Sequence, residues 1–308
     1  MTSGEVPPSR RLRVGVQLNT TQRAFRWAEI RDLARAAEDV WLDSLWTEDH
    51  LFYEMKGRWL GPWDAWTILA GVAEATERVR IGTMVSPLGL RHPVLLARHA
   101  AAVQEMSGGR LQLGIGLGHG EPEYRALGRS LEHRFGTFRE SFEILRQALE
   151  TGTADARGRH VSSEGFRLLP RPDGFLSPRL MIGSDGPKTL RMTLPHVDAW
   201  NWDGFVDDPE AFAEASRRVD AVCAEIGRTP EQIERSAHLV VRLSDAEGLP
   251  IDPLPPHLRV IGGQPDEVAA RLQAFADAGA DELMVIVDPA RPAAIEELAR
   301  AVERVRPS

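Results

Sequence analysis

A chain of 308 residues, 43% hydrophobic and 27% charged, has an ordinary globular composition and room for one large α/β domain or two smaller ones. A formal charge of −8 and an isoelectric point near 5.7 argue against a nucleic-acid binder, which carries a basic patch. The single cysteine, Cys223, excludes an internal disulfide framework and a cysteine-built metal cluster.

Taken in chain order, apolar strand-like runs alternate with helical patterns. Residues 1–11 lack the apolar core of a signal peptide and read as a flexible lead-in. Arg13–Leu18 reads as a first strand. Ile30, Leu33, Ala34 and Ala37 then fall at i, i+3, i+4 and i+7, one face of a helix. The second strand is Ser44–Glu48, the third Arg80–Val85 and the fourth Leu111–Gly116, with helices at Trp66–Ala75, Pro93–Met106 and Thr137–Leu149. Arg179–Gly183, Asp198–Asn201, Ser236–Leu243 and Glu282–Val287 supply strands five to eight. Cys223 lies in an alanine-rich helical stretch, where a buried thiol is expected. Thr229-Pro230-Glu231-Gln232 offers an N-cap threonine, proline at N1 and a capping-box glutamine. Ile295, Leu298, Ala299, Val302 and Val305 mark the final helix. Ala154–Ser177 and Ala246–Arg259, rich in breakers, read as insertions or surface loops. No apolar run is long enough to span a bilayer, so a soluble, cytoplasmic protein is expected. Eight strands with intervening helices favour a single α/β domain folded as a (β/α)8 TIM barrel, with a doubly wound open sheet as the alternative.

In such a barrel the active site forms at the C-terminal ends of the strands. That rule selects Asp49-His50 after the second strand, where a carboxylate beside an imidazole can hold a ligand and move a proton near neutral pH. It also selects Leu117-Gly118-His119-Gly120-Glu121 after the fourth strand and Gly183-Ser184-Asp185-Gly186 after the fifth. The latter leads into a helix near Pro187, with Lys188 as a nearby counter-charge for a phosphate. The run Gly114-Ile115-Gly116-Leu117-Gly118 has the wrong spacing for a dinucleotide fingerprint, and no H-E-x-x-H, P-loop or G-x-S-x-G is present. His92 and His99, seven apart on one helix, share a face without an acidic or cysteine partner, so no metal site is expected. Trp59, Trp63 and Trp66 fit either a loop folded onto the barrel or an apolar lid over a planar ligand.

Taken as an ordered set, these segments resemble the luciferase-like monooxygenase family, and within it the coenzyme F420-dependent oxidoreductases. The resemblance runs through Asp43-Ser44-Leu45-Trp46, Asp49-His50-Leu51, Pro62-Trp63-Asp64-Ala65-Trp66-Thr67 and Arg80-Ile81-Gly82-Thr83. It continues in Arg91-His92-Pro93, Ser107-Gly108-Gly109-Arg110-Leu111, Leu113-Gly114-Ile115-Gly116, Glu123-Tyr124 and Ile182-Gly183. Gly186-Pro187-Lys188-Thr189-Leu190, Asp198-Ala199-Trp200-Asn201, Pro265-Asp266-Glu267-Val268 and Ala278-Gly279-Ala280-Asp281-Glu282 close it. The resemblance implies a (β/α)8 barrel with an insertion at Ala154–Ser177, a likeness to homodimeric relatives, and reduced F420 or reduced FMN bound across the barrel mouth. Asp49 and His50 would approach the cofactor ring or substrate. Met84-Val85 aligns with a strand end where relatives carry a bulge and a non-proline cis peptide. Gly116, Leu117 and Gly118 would line the cofactor, and Gly183, Ser184, Asp185 and Gly186 would hold its phosphate. His119 stands where several F420 enzymes place a glutamate proton donor. Ser184 replaces the second glycine of the phosphate turn, and Trp41 stands near a usual glycine before the second strand.

The reading is therefore an oxidoreductase that moves a hydride between F420 and an organic, small-molecule substrate. His50 moves the proton, Asp49 orients it or the cofactor, and His119 is a second acid/base. Leu18, Phe52 and Trp63 are the substrate-facing positions. The alternatives are an FMNH2-dependent monooxygenase that uses oxygen, and a non-catalytic flavin- or F420-binding protein.

Overall fold

A computed structural model describes residues 11–18, 24–55, 57–203, 207–243 and 259–306. The expected flexible lead-in before Arg11 and most of the expected loop at Ala246–Arg259 lie outside the described residues. Eight parallel strands close a barrel among the described residues: β1 (Arg13–Leu18), β2 (Ser44–Thr47), β3 (Arg80–Pro87), β4 (Leu111–Gly116), β5 (Arg179–Ile182), β6 (Ala199–Trp202), β7 (Glu234–Leu243) and β8 (Glu282–Val287). Each pairs with its neighbour in sequence, and β8 returns to β1 through Arg13↔Glu282 and Gly15↔Met284. The helices α1 (Trp27–Asp39), α2 (Ala65–Ala75), α3 (Pro93–Met106), α4 (Glu121–Ala126), α5 (Arg134–Thr151), α6 (Pro187–Thr193), α7 (Pro209–Ile226), α8 (Pro265–Asp277) and α9 (Pro292–Val305) alternate with the strands. No described helix is long and apolar enough to cross a membrane.

Strand alternation sorts side chains between two cores. Val14, Val16 and Leu18 of β1 join the large cluster that includes Ile30 and Leu33 of α1, whose apolar positions repeat at helical spacing. Gly15 and Gln17 take the inward positions instead. The barrel interior holds a small, separate cluster of Trp46, Met84, Met181, Ala199 and Met284. A charged plug closes the N-terminal end: Arg13 pairs with Glu234 at 2.7 Å, Arg80 with Glu282 at 2.9 Å and Arg179 with Glu234 at 2.9 Å. Ser44 Oγ donates to Glu282 at 2.5 Å and accepts Trp46 Nε1–H at 2.7 Å, which fixes the indole above the plug. The barrel is thus filled from below and open only at its C-terminal mouth.

Gly82 makes room for that indole. A Cβ there would stand 2.4 Å from the Gln112 carbonyl oxygen and 2.6 Å from Trp46 Cζ3. Gly82→Ala is expected to cost about 1–3 kcal/mol by overpacking, read as a lower urea midpoint at unchanged m-value. A midpoint equal to wild type would refute this account of the interior.

Several expectations need correction. Thr229 makes no cap hydrogen bond, and the segment it opens is a single 3-10 turn, Pro230–Gln232, that leads into β7. The chain just beyond the turn enters the sheet at Glu234, so no helix forms for Thr229 to cap. Within Ala154–Ser177 lies an antiparallel hairpin, Thr153–Arg157 with Ser162–Arg167, which packs beside α5. Its polar exposed faces hid the strand signal. His92 is the N-cap of α3, its ring accepting from Val94 N–H, so it does not share a helix face with His99, which stacks on Trp66 at 5.8 Å between ring centroids. Trp41 adopts φ 61°, the left-handed turn a glycine would favour. There Arg78 lies 4.5 Å over its ring. Cys223 is buried, which pushes its thiol pKa up.

Candidate active site

At the mouth, β2 ends and delivers three ionisable side chains in succession, Glu48, Asp49 and His50, whose surroundings differ completely. Asp49 is only 1% exposed. Its Oδ2 accepts from Ser86 Oγ at 2.6 Å, Arg91 Nη1 at 2.5 Å and Trp66 Nε1 at 3.3 Å. Arg91 also reaches Asp64, the N-cap of α2, at 2.8 Å. The carboxylate therefore ties the β2 loop to β3 and to the chain between them and α3. Its partners are Ser86, Arg91 and Trp66, and a different carboxylate orients His50.

His50 Nδ1 lies 3.1 and 3.2 Å from the two carboxylate oxygens of Glu123. Leu51 N–H donates to the same carboxylate at 2.6 Å. Glu123 comes from the first turn of α4, and Gly120 permits its position. A Cβ at Gly120 would sit 2.0 Å from Glu123 Oε2. Burial opposes charge on both groups. The mutual hydrogen bond and attraction outweigh it, so the Glu123 pKa falls and the His50 pKa rises. The pair is an imidazole whose protonated form is favoured by a buried carboxylate. The His119 ring stands edge-on to His50 at 5.6 Å, and the Tyr53 ring at 5.4 Å. Glu123 belongs to the sequence motif Glu123-Tyr124, but nothing in a separation of 73 residues marks it as the partner of His50.

Tyr53 sits on a hairpin, Tyr53–Met55 with Arg58–Leu60, that escaped the sequence reading. Phe52 and Trp59 meet edge to face beside it at 5.6 Å. The three tryptophans divide: Trp66 is buried in the core, while Trp59 and Trp63 are 61% and 58% exposed. Trp63 Nε1 donates to the Phe25 carbonyl at 2.7 Å. Phe52 and Trp63 are thus on the mouth's outer side, whereas Leu18 faces the helix layer and does not join them.

On the neighbouring strand, the Met84-Val85 peptide is cis and the β3–β4 register shifts between Thr83 and Ser86. A Cβ on Gly116 would stand 2.7 Å, and one on Gly183 2.9 Å, from the Val85 methyl groups. The two glycines therefore make room for the Val85 side chain. Leu117 carbonyl accepts Tyr124 O–H at 3.0 Å, which fixes the chain just before Gly118. In the expected phosphate turn, Ser184 Oγ accepts from Gly186 N–H at 3.4 Å and the Ser184 carbonyl accepts Trp200 Nε1–H at 2.8 Å. The Asp185 carboxylate is exposed and reaches Arg218 at 3.7 Å.

Three inward side chains carry buried polar atoms that lack a partner: Gln17 Oε1, Glu48 Oε1 and Asn201 Oδ1. Buried polar atoms are ordinarily paired, and an unpaired one costs about 1–3 kcal/mol. Unpaired polar atoms of this kind at a barrel mouth fit a polar heterocycle that supplies their partners. Among the described residues, no group of three or more His, Cys, Asp or Glu side chains could hold a metal ion.

Known proteins place the chain. The model of the luciferase-like monooxygenase family matches residues 11–247. The F420-dependent glucose-6-phosphate dehydrogenase of Amycolatopsis mediterranei is 27% identical over 319 aligned positions, covering 89% of this chain and 92% of the relative. The pyrimidine monooxygenase RutA of Stutzerimonas stutzeri is 28% identical over 171 residues, covering 54% of this chain and 47% of the relative, so the chain spans about half the length of that protein. In structure, the coenzyme F420-dependent tetrahydromethanopterin reductase of Methanopyrus kandleri superposes with a TM-score of 0.79 at 18% identity, over 96% of this chain and all of that one (100%).

Proposed function

The chain belongs to the luciferase-like monooxygenase family and is an enzyme of the oxidoreductase class, and from that premise we propose that it transfers a hydride between coenzyme F420 and a small organic substrate. The observation that carries the reading is the His50–Glu123 pair, an imidazole at the barrel mouth whose proton Glu123 favours and which faces His119. When bound, the deazaflavin supplies the hydride chemistry. The protein's own residues do the rest. Met84, Val85, Gly116, Leu117 and Gly118 form the wall against which the ring would lie, and Gly183, Ser184, Asp185 and Gly186 are the turn that would hold the phosphate. His50 holds or moves a proton at its ring nitrogen, Glu123 keeps that imidazole charged, and His119 is a second acid/base. Asp49 fixes the loop that carries His50. Phe52 and Trp63 screen the substrate side from water.

F420 is favoured over FMN because the relative named for F420 aligns along nearly the whole chain, whereas the named monooxygenase aligns along about half of it. The second reading, a monooxygenase that uses reduced FMN and oxygen, is supported by the name of the family itself. Equilibrium binding of F420 and FMN, each oxidised and reduced, separates the two. F420 is expected to bind at least about tenfold more tightly than FMN, a difference of about 1.4 kcal/mol. Preference for reduced FMN would instead call for an oxygen-uptake assay, and binding of neither would end the cofactor assignment.

A further inference from the structure

Glu48 has no role in the mechanism above, yet it is the worst-accommodated charge in the mouth. Its residue is 9% exposed. Its Oε1 has no hydrogen-bond partner and its Oε2 only a long contact, 3.4 Å, from Tyr53 O–H. The neighbouring carboxylates are fully provided for: Asp49 by Ser86, Arg91 and Trp66, Glu123 by His50 and Leu51 N–H. Among the described residues, no arginine or lysine makes an ion pair with Glu48. The ionisable groups that face it are His50 from its own loop, Tyr53 from the hairpin, Glu123 from α4, and Asp203 after β6, which lies 3.2 Å from His238 of β7. Two of these are further carboxylates. Burial among carboxylates favours the protonated form, and Oε1 finds no partner among the described residues.

The position of the group points to what accepts it. The proposed cofactor wall lies on β3, β4 and β5, while Glu48, Gln17 and Asn201 belong to β2, β1 and β6, the other part of the ring. We infer that Glu48 is a second acid of the site, a carboxyl that carries its proton inside the barrel at neutral pH and donates it to an oxygen or nitrogen of a neutral substrate. The inference rests on the reading of the mouth as an oxidoreductase site. In the step, the Glu48 O–H bond breaks and the proton binds a lone pair of the substrate atom. The carboxylate left behind faces His50, whose imidazolium offsets its charge, and a proton taken from water restores the acid. No electrons move in this step. The environment agrees with it: burial above all, and the repulsion of Glu123 and Asp203, push the Glu48 pKa up to about 7 against the attraction of His50. The same carboxylates disfavour an anionic substrate. Adjacent carboxyls with opposed environments divide acid and structural roles in this way in other enzymes.

The test begins with a 13C NMR titration of the glutamate carboxyls in wild-type protein and in Glu48→Gln. One carboxyl is expected to titrate near neutral pH in wild type, and its resonance should be absent from Glu48→Gln. If every glutamate titrates near the ordinary value of about 4.3, or if the neutral one survives the substitution, the inference is overturned. Glu48→Asp, which retains the acid, replaces Glu48→Gln should the amide variant fail to fold, and must then show a displaced midpoint. The second arm adds cyclohexanone or cyclohexanecarboxylate as probes. The ketone should move the midpoint of Glu48 and bind about tenfold more weakly to Glu48→Gln, as expected for loss of one hydrogen bond of about 1.4 kcal/mol. An unmoved midpoint, or an equal response to the carboxylate probe, overturns the inference. Neither arm requires the cofactor, so failure of F420 and FMN to bind would count against the proposed function and leave the titration of Glu48 as a separate result.

Discussion

His50→Ala is expected to lower turnover by about 10²–10⁴-fold, the usual worth of a positioned acid or base, while changing cofactor affinity by less than about threefold, under 0.7 kcal/mol. The asymmetry follows from geometry. The His50 ring faces His119, Tyr53 and Glu123 at the mouth, whereas the proposed cofactor wall is built from other strands. An equal loss of turnover and affinity would make His50 a binding residue and favour the non-catalytic reading. Glu123→Gln refines the test. Glu123 raises the His50 pKa despite the opposing effect of burial, so removing its charge must lower that pKa. If imidazolium is the active form, activity is lost as pH rises through the His50 pKa, and the alkaline limb should move to lower pH in Glu123→Gln. An unmoved limb would detach Glu123 from the proton. The linkage to stability has the same sign. The contribution of His50 is complete below the free imidazole value of about 6.5 and disappears as pH rises through the raised folded value.

Most of this architecture was legible because the barrel repeats one physical signal. Arg13–Leu18, Leu111–Gly116 and Glu282–Val287 are short, mostly apolar runs buried on both faces, and the helix of Ile30, Leu33, Ala34 and Ala37 shows its buried stripe directly. Short or polar elements were not legible. The hairpin of Thr153–Arg157 and Ser162–Arg167 is mostly exposed, and Val260–Gly263 is a four-residue strand paired to the outside of β7. In the candidate site, the rule that barrel strands end in the active centre singled out Asp49, His50 and His119, and His50 and His119 do lie together, 5.6 Å between ring centroids. It could not rank the carboxylates, because ranking depends on neighbours distant in the chain. Arg91 reaches Asp49 across 42 positions and Glu123 reaches His50 across 73. The role of orienting His50, which proximity assigned to Asp49, consequently passes to Glu123. Leu18 fails as a mouth residue for a simpler reason: strand period two turns it outward and Gln17 inward.

The largest stability effect is expected at Asp49 rather than at the imidazole it precedes. Asp49 and Arg91 form a nearly dry ion pair at 2.5 Å, with side chains 1% and 16% exposed. Breaking such a pair from one side leaves an uncompensated charge and costs about 3–5 kcal/mol. Asp49→Ala should therefore lower the thermal midpoint by well over 5 °C in a domain of this size, where about 1 kcal/mol corresponds to 2–4 °C. Arg91→Leu removes the cation as well as the Asp64 contact at 2.8 Å, leaves the Asp49 carboxylate buried, and should cost a similar amount. The double variant then separates the two roles. If Asp49 acts through Arg91, the costs are strongly non-additive, with a coupling of about 1–3 kcal/mol. Turnover in Arg91→Leu should also fall along with that of Asp49→Ala, because both release the loop that carries His50. If instead Asp49 touches the reacting groups, Arg91→Leu retains turnover that Asp49→Ala loses, and the anchoring role is wrong.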